Sequence, residues 1–379
     1  MSESETYLSK HIYTLFSFDT EYCADSVEWC PHKPNQNVFV CANYQLQVVQ
    51  SEGEEKKRRL GRILLFSVKE HDSLILHQTI DTAGVLDQKW CHSIVNGYSL
   101  LGVVNSINMV EVYKLKSDKI EIELVTSIKN VCDCDDALIL SLDWSTGVHG
   151  SQEPEIICSD SKGGIHLMKL VNNSLVLLNT WHGHKFEAWI SAFYYWDTNI
   201  FFSGGDDGIF LKFDKRVGNQ IVGKNQSHHA GVTSLHTSCF KENILVSGSY
   251  DENIRLWDIR NIKNEVNSSH MPGPVWRVKW NPFYENYLLA VCMMGGVHIL
   301  DVEYSKIDII GSYHEHKSIS YGADWSYLDS ECGEKNASKR SGIIATCSFY
   351  DHLLCVSKYV TDTRIHSQQS DLTDVQGTI

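Results

Sequence analysis

The 379-residue chain has no uninterrupted apolar run approaching the roughly 18–20 residues that a bilayer-crossing helix needs. Its opening, MSESETYLSK, is polar and lacks the apolar core of a secretory signal. A basic excess is missing too. With 33 Lys and Arg against 47 Asp and Glu, the formal net charge is −14, which argues against a nucleic-acid surface and suits a basic or cationic partner. There is no GxSxG elbow, no GxxxxGK(S/T) loop and no HExxH helix, so no familiar catalytic motif is written contiguously. Twelve cysteines are present, but Cys41, Cys158, Cys292 and Cys347 fall in strand-like segments and read as small buried hydrophobes of a reducing compartment. Cys132 and Cys134 lack a second Cys pair at zinc-ligand spacing, so no metal centre is expected. A cytosolic location follows as the expectation, with no transmembrane segment.

What the chain does have is a repeat. SGGDDGIFLKFDKR (203–216) returns as SGSYDENIRLWDIRN (247–261) at an offset of 44, with Ser203 on Ser247, Asp207 on Asp251, Asp214 on Asp258 and His184 on His228. A Gly-Ser/Asp turn, a strand and a closing aromatic-Asp at a period in the forties mark a β-propeller blade of the WD-repeat type. Reading outward gives seven blades, whose inner strands begin near DSVEWCP (25–31), DQKWCHSIV (87–95), LILSLDWS (138–145), AWISAFYYW (188–196), GVTSLHTSCF (231–240), PVWRVKWNP (274–282) and SYGADWSYL (320–328). The last blade is one outer strand short, while HIYTLFSF (11–18) has no blade of its own. Closing the ring with that segment removes exposed sheet edges.

The predicted fold class is therefore all-β, a seven-bladed WD-repeat β-propeller closed by an N-terminal strand. It forms one domain over 11–360, with a disordered N-terminus at 1–10 and a disordered tail at 361–379. A monomer is expected. Two polar insertions, 51–59 and 329–341, read as mobile loops.

Most eye-catching side chains have an architectural reading. His228, Ser247, Asp251 and Trp257 match the hydrogen-bonded set that pins a WD blade, and His184, Ser203 and Asp207 match its neighbour. Blade 6 carries Gly295 at the Asp251 position and cannot build that set. Strand alternation directs Glu28, Asp143, His236, Lys279 and Asp324 into the central channel. Histidines gather in the upper-face loops (His182, His184, His228, His229, His270, His314 and His316), without carboxylate or Cys partners at metal-ligand spacing.

Several strings exceed this generic pattern: GHKFEAWISAFYYW (183–196), FSGGDDG (202–208), GSYDENIRLWDIRN (248–261), PVWRVKWNPF (274–283) and YGADWS (321–326). In that order they resemble the WD-repeat diphthine methylesterases of diphthamide biosynthesis, strongly over about 180–330 and in layout elsewhere. The resemblance implies a cytosolic ester hydrolase without an organic cofactor. Its substrate would be translation elongation factor 2 carrying methylated diphthine, which loses one methyl ester before the final amidation. A trimethylammonium group favours an aromatic cage, for which Trp189, Trp276 and Tyr321 stand at inner-strand starts, with Glu187 and Asp324 supplying negative charge. For hydrolysis, His184 or His229 is the candidate base, Glu187 or Asp324 the orienting carboxylate and Arg277 the oxyanion donor. The competing readings are a non-catalytic scaffold or adaptor, in trafficking or as a ubiquitin-ligase substrate receptor, and a metal-dependent hydrolase built on the upper-face histidines.

Overall fold

The computed structural model describes residues 12–51, 54–69, 72–328 and 339–362. The described strands form seven antiparallel sheets arranged as propeller blades, each running from an inner strand at the channel to an outer strand. The inner strands are Ala24–Trp29, Val85–Trp90, Ile139–Trp144, Ile190–Phe193, Val232–Thr237, Val275–Trp280 and Ser320–Trp325. The ring closes as expected. Ile12–Asp19 pairs antiparallel with Leu353–Asp362 and becomes the outer strand of blade 7, from Ile12 opposite Tyr359 to Asp19 opposite Leu353. The remainder of the expected tail, from 363, and the N-terminal segment 1–10 lie outside the described residues.

One expectation needs correction. The polar stretch at 51–59 is not a loop: Gln45–Ser51 and the start of Glu54–Lys69 pair as a hairpin extending from blade 1, from Gln45 opposite Leu60 to Ser51 opposite Glu54. Charge content suggested a loop, but the alternation Gln45-Leu46-Gln47-Val48 has the period of a strand. Of the second insertion, residues 329–338 lie outside the described residues, and the strand Lys339–Ser348 begins directly after them.

Each inner strand is also the edge of its sheet, so its outward N–H and C=O groups need partners from the neighbouring blade. Side chains provide them, in both directions. Asp87 accepts the Leu142 N–H (3.1 Å), Asp143 that of Phe193 (2.9 Å), Ser234 that of Val278 (3.0 Å), His236 that of Trp280 (2.9 Å) and Asp324 that of Trp29 (2.7 Å). In return, the tryptophan ending an inner strand donates its indole N–H to the preceding blade's carbonyl: Trp90 to Glu28, Trp144 to Lys89, Trp280 to His236 and Trp325 to Lys279, at 2.9–3.1 Å. Trp29 is the exception, because its indole N–H is buried without a partner.

Within blades, the His–Ser–Asp sets form as read. His228 bridges Asp251 (2.9 Å) and Ser247 (2.7 Å), and Trp257 donates to the same Ser247 hydroxyl (2.9 Å). Blade 7 builds an equivalent from His316, Ser348 and Asp351. In blade 6, where Gly295 replaces the turn Asp, His298 turns to the Gly295 carbonyl (3.0 Å) and Ser312 (2.9 Å) instead.

Trp144→Phe and Trp29→Phe remove similar ring volume, but only the first breaks an inter-blade hydrogen bond. Urea denaturation is expected to show a loss about 1–2 kcal/mol larger for Trp144→Phe, since it strands the Lys89 carbonyl. Equal losses would contradict this account of blade docking.

Candidate active site

At the upper end of most inner strands the pairing register slips by one residue, a β-bulge that re-aims the extra side chain. The bulged residue is Asp25 in blade 1, Leu86 in blade 2, Leu140 in blade 3, Thr233 in blade 5, Trp276 in blade 6 and Tyr321 in blade 7. Trp276 and Tyr321 therefore stand at the channel mouth for a shared geometric reason. Trp189 occupies the corresponding place just before the blade 4 inner strand.

These rings join into an arc. Trp189 and Trp276 are 5.6 Å apart between centroids, Trp276 and Tyr321 4.7 Å, and Tyr321 and Phe349 5.0 Å. Tyr250 fills the angle between Trp189 (6.5 Å) and Trp276 (5.9 Å), and Tyr44 extends the arc beyond Phe349 (6.2 Å). The Trp189 indole is fixed by Asp206 (3.0 Å), whereas the Trp276 indole N–H has no partner. The sequence reading missed Tyr250, Phe349 and Tyr44. A signal existed: Tyr250 immediately precedes the turn Asp251, and at the repeat offset it falls on Asp206, the residue that holds Trp189.

Below the rim the inner strands place charge in layers. Arg277, directly after Trp276, is mostly shielded from solvent and lies 3.3 Å from Asp87. Burial works against its charge, but Asp87, Asp25 and Glu28 outweigh this and hold the guanidinium firmly protonated. Two residues further along, Lys279 pairs with Glu28 and with Asp324 (3.1 Å). Burial pushes both carboxyls up, against the pull of Lys279. On the opposite wall, Lys89 reaches Asp143 at 3.3 Å, and the Tyr195 hydroxyl donates to the same carboxylate oxygen at 2.9 Å. Four of the five expected channel residues, Glu28, His236, Lys279 and Asp324, line one cavity together with Arg277. Asp143 joins them through Lys89.

The candidate residues thus fall into three groups. Trp189, Trp276, Tyr321 and Arg277 come together at the mouth, and Glu187 lies half-buried two residues before Trp189 in the same loop. Asp324 sits deeper, held by Lys279 and the Trp29 amide. His184 is pinned inside its blade. Its ring nitrogens meet Asp207 (3.0 Å) and Ser203 (2.8 Å), and burial lowers its basicity. His229 is exposed, and its backbone N–H donates to Asp251 (3.0 Å). Among the described residues, the upper-face histidines gather no metal-ligand set. The one cluster with such geometry is Cys132, Asp160 and His166, inside blade 3. There Asp160 accepts the His166 ring (2.7 Å) and the amides of Lys162 (2.7 Å) and Gly164 (2.8 Å), a hydrogen-bonded pin like those of the other blades.

Residues 220–258 match the family model described as "WD domain, G-beta repeat". The chain is similar to diphthine methyltransferase of Mus musculus, 41% identical over 83% of this chain and 69% of that protein. It is also similar to diphthine methyltransferase of Homo sapiens, at 39% over 83% and 75%. A diphthine methyltransferase homolog of Dictyostelium discoideum matches at 34% over 89% and 96%. A chain of the mitotic checkpoint complex shares the fold, with a TM-score of 0.67 and 17% identity over 96% of this chain and 95% of its own. No helix among the described residues is long and apolar enough to cross a membrane.

Because Lys279 serves two buried carboxylates, Lys279→Met is expected to cost about 3–5 kcal/mol in chemical denaturation. The triple variant Lys279→Met, Glu28→Gln, Asp324→Asn removes the stranded charges and should recover most of that loss. A triple variant no more stable than the single one would show that the ion cluster is not the source.

Proposed function

This chain belongs to the diphthine methyltransferase family, and we propose that it hydrolyses the methyl ester of methylated diphthine on translation elongation factor 2, a step of diphthamide biosynthesis in the cytosol. The observation that carries this reading is the arc of Trp189, Tyr250, Trp276, Tyr321 and Phe349 above the half-buried Arg277. A quaternary trimethylammonium cannot donate hydrogen bonds. It is recognised by the negative faces of aromatic rings, an interaction that strengthens as water is excluded. The ester lies on the same modified side chain, so a cation held at the rim directs the ester carbonyl toward the layer beneath.

The chemistry assigned to that layer is ester hydrolysis by water. The carbonyl oxygen gains negative charge as water adds, and Arg277 is the cation placed to receive it in a low-dielectric setting. Glu187, beside Trp189, adds negative charge on the cation's side of the mouth. The net charge of −14 favours approach of a cationic modified loop. His184 acts as part of its blade in this reading, and Asp324 as a support for Lys279 and blade 1.

The relatives' name, diphthine methyltransferase, favours a second reading, transfer of a methyl group onto diphthine. The two differ in the sign of the mass change. Incubating the purified chain with elongation factor 2 carrying methylated diphthine, without a methyl donor, should remove the mass of one CH2 group by mass spectrometry. A gain of that mass dependent on a sulfonium methyl donor would instead support the transferase. No change with competent substrate in either format would favour a non-catalytic adaptor.

Removing one ring tests the cage. Trp276→Ala should raise KM about 10- to 30-fold while kcat stays within about threefold, the signature of lost cation binding. An unchanged KM would remove the arc from the site.

A further inference from the structure

The inter-blade bonding pattern lapses in one sector of the mouth, where the bulge of blade 1 lies beside those of blades 6 and 7. The bulge positions there hold Asp25, Trp276 and Tyr321. Trp276 and Tyr321 are long and half-exposed, whereas Asp25 is short and only 4% exposed. One oxygen of the Asp25 carboxylate has no hydrogen-bond partner. The next residue, Ser26, is equally buried and its hydroxyl is also unpartnered, although its counterparts Ser141 and Ser234 accept amides of the following blade at 2.9 and 3.0 Å. Native proteins rarely leave buried polar oxygens empty unless a ligand or water uses them.

Charge counting separates Asp25 from its neighbours. Of the carboxylates acting on Arg277, Glu28 is already paired with Lys279, which leaves Asp87 and Asp25. Asp87 is within 3.3 Å of the guanidinium and accepts the Leu142 amide as well, so it is committed to structure. Asp25 is the surplus. The groups that face it from the surrounding strands are Arg277, Asp87, Tyr321, Cys23 and Cys347. Burial raises its carboxyl well above the ordinary range and Asp87 adds to this, while Arg277 opposes the shift.

We propose that Asp25 is the general base that activates the hydrolytic water beneath the aromatic arc, a proposal that rests on the ester-hydrolysis reading above. Asp25 takes one proton from water as the water oxygen bonds to the ester carbonyl carbon. Arg277 receives the charge developing on the carbonyl oxygen. Collapse breaks the bond to the methoxy oxygen, Asp25 returns its proton to that oxygen, and methanol leaves. The product carboxylic acid then ionises to solvent. Atoms and charge balance with water as the sole co-reactant. Asp25 is only 4% exposed, which limits access of other water. This supplies the base that both candidate histidines leave open, one pinned in its blade and the other on the surface.

The test measures kcat, KM and melting temperature for the full chain and for Asp25→Asn, with elongation factor 2 carrying methylated diphthine as substrate. Asp25→Asn should lower kcat by about 100-fold or more, with KM within about threefold. It should melt at an equal or higher temperature at pH 7. A folded-state pKa raised above the unfolded value means that Asp25 loses stability for the protein as pH rises through that range, and Asn removes the penalty. The wild-type rate should rise along an acid limb centred above the ordinary carboxylate range, and Asp25→Asn should abolish the limb. Asp25→Glu should recover part of the rate. Full activity in Asp25→Asn, or a raised KM with unchanged kcat, would overturn the base assignment and leave the esterase reading intact. A wild-type profile flat across the acid range would overturn it whatever the variants' folding. Absence of demethylation by the wild type would sink the reading itself.

Discussion

Every blade presents an inner strand that is the unpaired edge of its sheet, and the ring stands only if those edges are satisfied across the gaps between blades. Water in the channel could meet some of these groups, but seven sheets meeting at one axis bury most of them. The solution is reciprocal. A channel-side polar group accepts the next blade's amide, and the next blade's terminal tryptophan donates back to a carbonyl. Each bond contributes only about 1 kcal/mol net, but leaving its partner buried and unmade would cost more, so the set fixes blade spacing and rotation. A polar channel is therefore a requirement of closure before it is a candidate site.

That requirement separates structure from chemistry. Asp87, Asp143, Asp324, Ser234 and His236 resemble catalytic residues in type and location, yet each accepts a named amide of the adjoining strand. His184, His228 and His316 are likewise committed, to Asp or Ser side chains within their own blades. Among the buried polar groups that no bond of this kind claims, three lie at the mouth: the Asp25 carboxylate, the Ser26 hydroxyl and the Trp276 indole. Subtracting the architectural bonds is a more selective guide to function here than residue type.

The sequence revealed the blades because a blade is local: turn, strand and aromatic-Asp recur within some forty residues, and the period needs no tertiary knowledge. It also revealed the closing strand, since a blade lacking an outer strand and a strand lacking a blade admit one economical answer. It placed Trp189, Trp276 and Tyr321 together because their neighbouring strings depart from the repeat. Asp25 was hidden for the opposite reason. DSVEWCP reads as an ordinary inner strand, and only the bulge registers of blades 1, 6 and 7 set Asp25 beside Trp276 and Tyr321. Tyr250 and Phe349 were missed because contact across blades joins residues that no spacing along the chain connects. The hairpin at 45–60 was missed because its charged residues outweighed a short alternation of Leu and Val.

The layering also favours the rim over the deeper channel for the proposed hydrolysis. Lys279 is committed to Glu28 and Asp324, and Lys89 to Asp143, so each of those carboxylates already holds a cation. An oxyanion formed at that depth would have to displace a carboxylate from its cation. At the rim, Arg277 keeps its bond to Asp87 while Asp25 is left over, so on the proposal an ester carbonyl would meet a cation and a base there without breaking a structural bond. The aromatic arc lies directly above, where a quaternary ammonium can remain while the ester reaches down. Binding and chemistry are then stacked along the strand direction, about 3.3 Å per residue, in the order that the substrate side chain would enter.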